Sequence, residues 1–144
     1  MLDDLGLAVA AETFVRYFSE RENIQVAFHQ SNIPAIVDAD AALCLYRVLQ
    51  ESLHNVSKHS GAHSAVVSLA GTDGNLRLTV KDLGSGFDPQ AIQGKGGLGL
   101  RSMEERAHLL GGKFKIHSDA KGTEVVVEVP HSPQSAGVSD ATGA

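Results

Sequence analysis

VLQESLHNVSKHSGA, Val48 to Ala62, carries two patterns on one segment. Its core-side positions continue those just upstream: Leu45, Val48, Leu49, Ser52, Leu53 and Val56 recur at i, i+3, i+4, which predicts an amphipathic helix. The pattern extends over 39–59, with Asp38 or Asp40 placed to cap the start and Ser60-Gly61 placed to stop it. The second pattern is polar. Glu51, Asn55, Lys58 and His59 fall within roughly 100° of helical arc, largely apart from the apolar stripe, with Arg47 near the same line. A solvated face explains such a stripe. The alternative is a site, because a carboxylate and a carboxamide one turn apart can orient a water and coordinate Mg²⁺. Such a hard cation takes oxygen ligands and commonly binds together with substrate phosphates. Lys58 and His59, at the helix end, would then meet those phosphates.

Working outward, AVVSLAG (65–71) and LRLTVKD (76–82) read as strands joined through the Asp73-Gly74 hairpin signal. KFKIHS (113–118) and TEVVVEVP (123–130) form a second hairpin around DAKG. A helix is predicted from about Leu100 to Leu110, stopped by Gly111-Gly112, and a short helical turn after Asp88-Pro89. Upstream, residues 3–20 are predicted helical through Leu5, Val9, Phe14 and Phe18, and IQVAFH (24–29) reads as a strand. Four of the five strands fall into hairpins, so the sheet is expected to be mixed and mostly antiparallel. About three helices cover one face of it, giving a two-layer α/β (α+β) sandwich. Residues 1–20 form the lead-in segment and first helix, 21–130 the core, and 131–144 a small, polar tail expected to be disordered.

The bulk properties bound the function. A chain of 144 residues fits one domain with a sizeable core, and 42% apolar with 20% charged residues is ordinary for a soluble protein. A formal charge of −5 argues against nucleic-acid binding driven by overall charge. The single Cys44 cannot form an internal disulfide, and its neighbours Ala42, Leu43 and Leu45 predict a buried apolar role. No apolar run reaches the ~20 residues of a membrane span, and MLDDLGLAV has no basic leader region. A soluble, cytoplasmic domain from a reducing compartment is expected. The sequon Asn55-Val56-Ser57 matters only in a secreted protein and is discounted.

QGKGGLGLRSM (93–103) matches G-x-G-x-x-G through Gly94, Gly96 and Gly99. A dinucleotide fingerprint needs a strand before the glycines and a βαβ crossover after them. Here DPQAIQ precedes and a hairpin follows. The stations of a protein kinase are missing, and neither Gly94-Lys95 nor Gly112-Lys113 is followed by Ser or Thr, so there is no Walker A. The glycines still allow close backbone approach to a ligand. They run into a predicted helix N-terminus suited to phosphate, beside Lys95 and Arg101. In KDLGSGFD (81–88), Asp82 closes a strand while Gly84 and Gly86 leave room beside it. A carboxylate held there can accept a hydrogen bond from an exocyclic amine such as that of adenine, although D-x-G-x-G alone is a weak signal.

In this order, E-x-x-x-N on a helix, D-x-G-x-G after a hairpin and G-x-G-L before a helix resemble the asparagine box and two glycine boxes of the Bergerat-fold (GHKL) ATPases. VLQESLHNVSKHSGA, DLGSGFD and GGLGLRSMEERAHLLGG are similar to the ATP-binding catalytic domain of NarX- and DesK-type sensor histidine kinases, over about residues 2–130. LDDLGLAVA resembles the segment where that branch passes from its dimerisation helices into the catalytic domain. The resemblance implies that Glu51 orients or activates the accepting histidine, or a water, and that Asn55 coordinates Mg²⁺. Lys58 and His59 approach the phosphates. Asp82 binds the adenine amino group, with Gly84 and Gly86 shaping its pocket. Gly94, Gly96, Gly97, Leu98, Gly99 and Leu100 belong to the ATP lid and its junction with the helix, and Thr123 supports the adenine end.

The departure lies in the acceptor. None of the seven histidines is followed directly by Asp or Glu, and no helical hairpin precedes the domain. His54, His59 and His63 do not suit a metal trio because Gly61 breaks the helix between the last two. The expectation is an excised or truncated catalytic module that binds Mg-ATP and transfers its γ-phosphoryl group to a histidine on a separate dimerisation domain, serving a response regulator indirectly. No nucleic acid, membrane contact or self-association is expected. The alternative is an anti-sigma-like Bergerat switch that binds proteins in a nucleotide-dependent way and can phosphorylate a serine.

Overall fold

Alternating Val, Leu and Ala residues make strands whose one face must find a cover, and the helical segments supply it. The computed structural model of the chain describes residues 2–84 and 98–131. Helix α1 (Leu2–Glu22) is followed by β1 (Gln25–Ser31) and α2 (Ala39–Asn55), which continues as a π-helical turn, Val56–Ser60. Hairpin β2 (Ser64–Thr72) and β3 (Asn75–Asp82) comes next, then α3 (Leu98–Leu109), β4 (Lys113–Asp119) and β5 (Gly122–Pro130). The sheet order is β1-β2-β3-β5-β4. Among the described residues β1 and β2, joined across α2, pair in parallel, and the other three pairs are antiparallel. Among the described residues, the expected mixed, mostly antiparallel sheet covered by three helices is therefore the observed fold.

The core lies between the sheet and the helices. Ala65, Val67 and Leu69 of β2, Leu76, Leu78 and Val80 of β3, and Val125, Val127 and Val129 of β5 are buried on one face. Leu45, Val48, Leu49 and Leu53 of α2 and Phe18 of α1 fill the opposing layer. The other sheet face carries charges set across from one another in register, Arg77 with Glu128 and Lys81 with Glu124, a pairing that favours this alignment.

Several details depart from the sequence reading. The first helix breaks at Gly6, with φ 82° and ψ 166°, a backbone region essentially restricted to glycine. LDDLGLAV thus holds a kink at Gly6 between two helical segments rather than one uninterrupted helix. Asp38 occupies the N-cap of α2, and its carbonyl accepts the Ala42 N–H at 2.9 Å, but its side chain makes no capping bond. Its own N–H donates to His131 Nδ1 at 3.5 Å. His131 was expected to begin the tail. Instead it is buried, and its N–H donates to the Gly74 carbonyl at 2.7 Å. Residues 132–144 and the expected helical turn after Asp88-Pro89 lie outside the described residues. The stop after α3 follows the sequence signal: the N–H groups of Gly111 and Gly112 return to the carbonyls of His108 and Ala107 at 2.9 and 2.8 Å. No helix among the described residues is long and apolar enough to cross a membrane.

Two consequences can be measured. Leu49, 1% exposed, packs α2 against the sheet, so Leu49→Ala should lower unfolding free energy by about 2–5 kcal/mol in urea titrations. A loss below about 1 kcal/mol would show that α2 does not carry the core. Cys44 is fully buried, and burial pushes its thiol above the ordinary range, with Arg106 opposing. Because the thiolate is the reactive form, disulfide reagents should label Cys44 slowly in the folded protein and rapidly in urea. Equal rates in both states would contradict this packing.

Candidate functional site

Period-two alternation carries Leu76, Leu78, Val80 and finally Asp82 to the helix-covered face of β3. A carboxylate at the end of that series enters the same layer as the core, and Asp82 is 1% exposed. One of its oxygens is satisfied. Oδ1 accepts the Gly84 N–H at 2.9 Å and the Thr123 N–H, from β5, at 3.3 Å. Oδ2 is buried and has no hydrogen-bond partner among the described residues. A buried acceptor left this way costs about 1–3 kcal/mol, so a further donor at Oδ2 would stabilise it.

Thr123 is buried, and its Oγ1 lies 2.8 Å from Ser118 Oγ of β4. Gly122, just before it, closes the hairpin at φ 134°. A Cβ at Gly122 would overlap the Asp82 carbonyl oxygen and stand 3.2 Å from Asp82 Oδ1. Glycine therefore sets how closely β5 approaches the carboxylate.

The polar stripe of α2 arrives at the same end of the sheet. Asn55 ends the helix, and the turn after it leads directly into β2, whose Ala65 pairs with Asp82. The Leu83 N–H donates to the Ser64 carbonyl at 3.2 Å, fastening the two strand ends together. Asn55 is 3% exposed, and its Nδ2 is buried without a partner among the described residues, as is Ser52 Oγ. Glu51, one turn earlier, is half-buried. The solvated-face explanation of this stripe therefore fails at Asn55.

Lys58 is exposed on the π-helical turn. With Arg21, Glu22, Gln50, His54 and the rings of Phe14 and Phe18 it lines a cavity of about 450 Å³ between α1 and α2. It thus stands on the α1 side of the stripe. His59 belongs to the same turn, and its side chain lies outside the described residues. Gly84 donates to Asp82, whereas Gly86, Gly94, Gly96 and Gly97 lie outside the described residues. Leu98, Gly99 and Leu100 open α3, which starts two residues before the expected Leu100. Among the described residues no three of His, Cys, Asp or Glu gather as a metal site.

The sequence reading missed Ser52, Ser118 and Gly122. Ser52 carried a core-position signal only, and Gly122 read as an ordinary turn glycine. Nothing local marks Ser118, whose meaning depends on the strand pairing that sets it opposite Thr123.

A sequence profile of the family described as histidine kinase-, DNA gyrase B-, and HSP90-like ATPase matches residues 40–133. The chain belongs to this family. Over 134 residues it is 40% identical to the sensor histidine kinase MctS of Rhizobium johnstonii, covering 92% of this chain and 29% of that protein. It is 37% identical to the oxygen sensor histidine kinase NreB of Staphylococcus carnosus, covering 90% of this chain and 38% of that one. The chain thus spans about a third of the length of these curated relatives. The solved histidine kinase domain of the Erythrobacter litoralis EL346 blue-light activated histidine kinase has a TM-score of 0.70, covers 90% of this chain and 67% of that one, and at 23% identity shows the shared fold.

The matches to the two sensor kinases cover most of the chain, whereas the family profile begins only at residue 40. This ATP-binding domain is accordingly of the histidine kinase kind, and the anti-sigma-like alternative is not favoured.

Proposed function

We propose that the domain binds Mg-ATP at the sheet end framed by Asp82 and Asn55 and transfers the γ-phosphoryl group to a histidine on a dimerisation segment of its parent kinase. The observation carrying this reading is the half-satisfied Asp82. With Oδ1 fixed by two backbone amides and Oδ2 unpartnered, the carboxylate is prepared for a single donor such as the adenine amine. Thr123 supports the same end through its N–H.

Asn55 suits a hard cation through its Oδ1, because its carboxamide is buried and sits one turn after the Glu51 carboxylate, while the unpartnered Nδ2 remains a donor. Asn55 would hold Mg²⁺, which when bound with the phosphates supplies charge neutralisation. Phosphoryl transfer relies chiefly on positioning and electrostatics. A ring nitrogen of the acceptor histidine forms the new bond to phosphorus, the bond to the bridging oxygen breaks, and ADP leaves with that electron pair. Glu51 hydrogen-bonds the other ring nitrogen, orients the imidazole and takes up its proton. Lys58 and His59 meet the phosphates from the helix end, and a response regulator receives the phosphoryl group afterwards. ATP as substrate and the absence of a membrane-length helix among the described residues support a cytoplasmic setting.

Asp82→Asn would turn an amide N–H₂ toward the adenine amine, two donors face to face. ATP affinity measured by calorimetry should fall at least about tenfold, corresponding to ~1.4 kcal/mol, with stability little changed. Equal affinity would remove Asp82 from the adenine assignment. Asn55→Ala should abolish the Mg²⁺ dependence of ATP binding, and a retained dependence would count against its ligand role. Glu51→Gln should leave ATP binding intact while slowing transfer roughly 10²- to 10⁴-fold. Transfer is read as acid-labile label from radiolabelled ATP on a supplied dimerisation segment. Acid-stable label on a partner serine would overturn the histidine kinase reading.

A further inference from the structure

The cavity of about 450 Å³ between α1 and α2 is lined by residues that the proposed nucleotide site does not use, Lys58 apart. Its apolar wall is aromatic. Phe18 is buried and Phe14 half-buried, their rings stacked with centroids 6.3 Å apart, and Tyr46 meets Phe14 edge-on at 6.0 Å. Tyr17, next to Phe18 in the chain, is 59% exposed, and the Arg21 guanidinium lies over its ring, 5.2 Å from the centre. The charged lining is mostly basic: Arg21, His54 and Lys58 stand against one carboxylate, Glu22. That carboxylate already accepts the Arg21 Nε–H at 3.0 Å, and Lys58 has no ion-pair partner among the described residues. In a chain with a net charge of −5, the cavity has a positive rim.

Cations in the last turn of a helix complement its dipole, which accounts for Arg21 and His54 taken singly. It does not account for the exposed ring under Arg21, nor for Lys58, which the π-helical turn carries round to the same cavity. An exposed tyrosine with an arginine beside it is the composition at which binding energy concentrates in protein interfaces. Both walls are helices, whose backbone groups are largely bonded within the helix, so the cavity offers side chains and no strand edge. Its occupant must satisfy its own backbone, as an amphipathic helix does. The aromatic wall suits the apolar side of such a helix, and the rim suits carboxylates.

We infer that the cavity between α1 and α2, with Tyr17 beside it, is a docking site for an acidic amphipathic helix of a partner protein. The inference does not depend on the nucleotide assignment, because Tyr17, Arg21 and His54 lie outside that site.

The probe is a short fluorescein-labelled peptide, helical by design, with leucines at i, i+3 and i+4 and glutamates beside them. Fluorescence anisotropy on the whole chain should show saturable binding that weakens as salt rises from about 0.1 to about 1 M, where the screening length falls from ~10 to ~3 Å. A version with lysines in place of the glutamates should not bind. Arg21→Glu combined with His54→Glu should weaken the acidic peptide at least about tenfold and let the lysine version bind. Tyr17→Ala should weaken the acidic peptide at least about fivefold while keeping its salt dependence. All three side chains are exposed, so the variants should keep the unaltered melting temperature and ATP affinity. The inference is overturned if the two peptides bind alike, if neither binds, or if the double reversal changes nothing. It is overturned as well if lost peptide binding comes with lost ATP affinity, since the cavity would then belong to the nucleotide site. Should sedimentation find the chain dimeric, and monomeric with Tyr17→Ala, a second copy is the occupant and the partner helix is ruled out. Should the double variant not fold, the peptide pair and Tyr17→Ala decide the matter.

Discussion

A carboxylate stands in the apolar layer of this domain with one oxygen tied down and the other open. Asp82 is the fourth member of a buried series whose first three members are Leu76, Leu78 and Val80. Burying a charge is unfavourable unless hydrogen bonds meet it. The fold meets half of it, through amides donated by Gly84 and Thr123, and leaves Oδ2 without a partner among the described residues. That choice constrains three strands together. β3 must end at Asp82, β5 must begin with a residue lacking a side chain, and β2 must start beside Ala65 so that Leu83 can be tied back to Ser64.

Helix α2 serves two layers with two faces. Its apolar face, Leu45, Val48, Leu49 and Leu53, supplies much of the packing on the sheet. Its last turn brings a buried carboxamide to the end where Asp82 waits. The helix then widens into a π-helical turn at Val56–Ser60 and stops at Gly61, which is left-handed at φ 68°. Such wide turns are rare and recur at functional sites. Here the turn changes the angular step just after Asn55, so Lys58 stands with His54, Gln50 and Arg21 around the cavity on the α1 side. A regular helix would have kept it on one line with Glu51 and Asn55.

Much of this was legible in the linear order of residues. The alternation in 65–71 and 76–82, the Asp73-Gly74 turn and the 39–59 periodicity lead directly to the observed sheet and to α2, because local patterning and tertiary packing agree there. The candidate residues Glu51, Asn55, Asp82 and Thr123 were readable through motif order, although none was compelling alone. Three features were not. Gly6 interrupts α1 through a backbone conformation that a glycine permits but does not announce. The Asp38 side chain, plausible as a cap, forms no capping bond, while its N–H turns to His131, 93 residues later. His131 looked like the start of a polar tail because its burial depends on a distant hairpin carbonyl, that of Gly74.

By itself, then, the sequence determined the element order, the faces that pack, and the types of group available for chemistry, since periodicity and side-chain type act locally. The tertiary structure alone decided which groups share an end of the sheet and which polar atoms lose water without gaining a partner. It also turned Gly122 from a turn residue into the clearance beside Asp82, and Ser118 from a strand residue into the support of Thr123. These properties belong to strand register and burial. They arise between residues far apart in the chain, 41 positions for Asp82 and Thr123, a separation no local pattern reports.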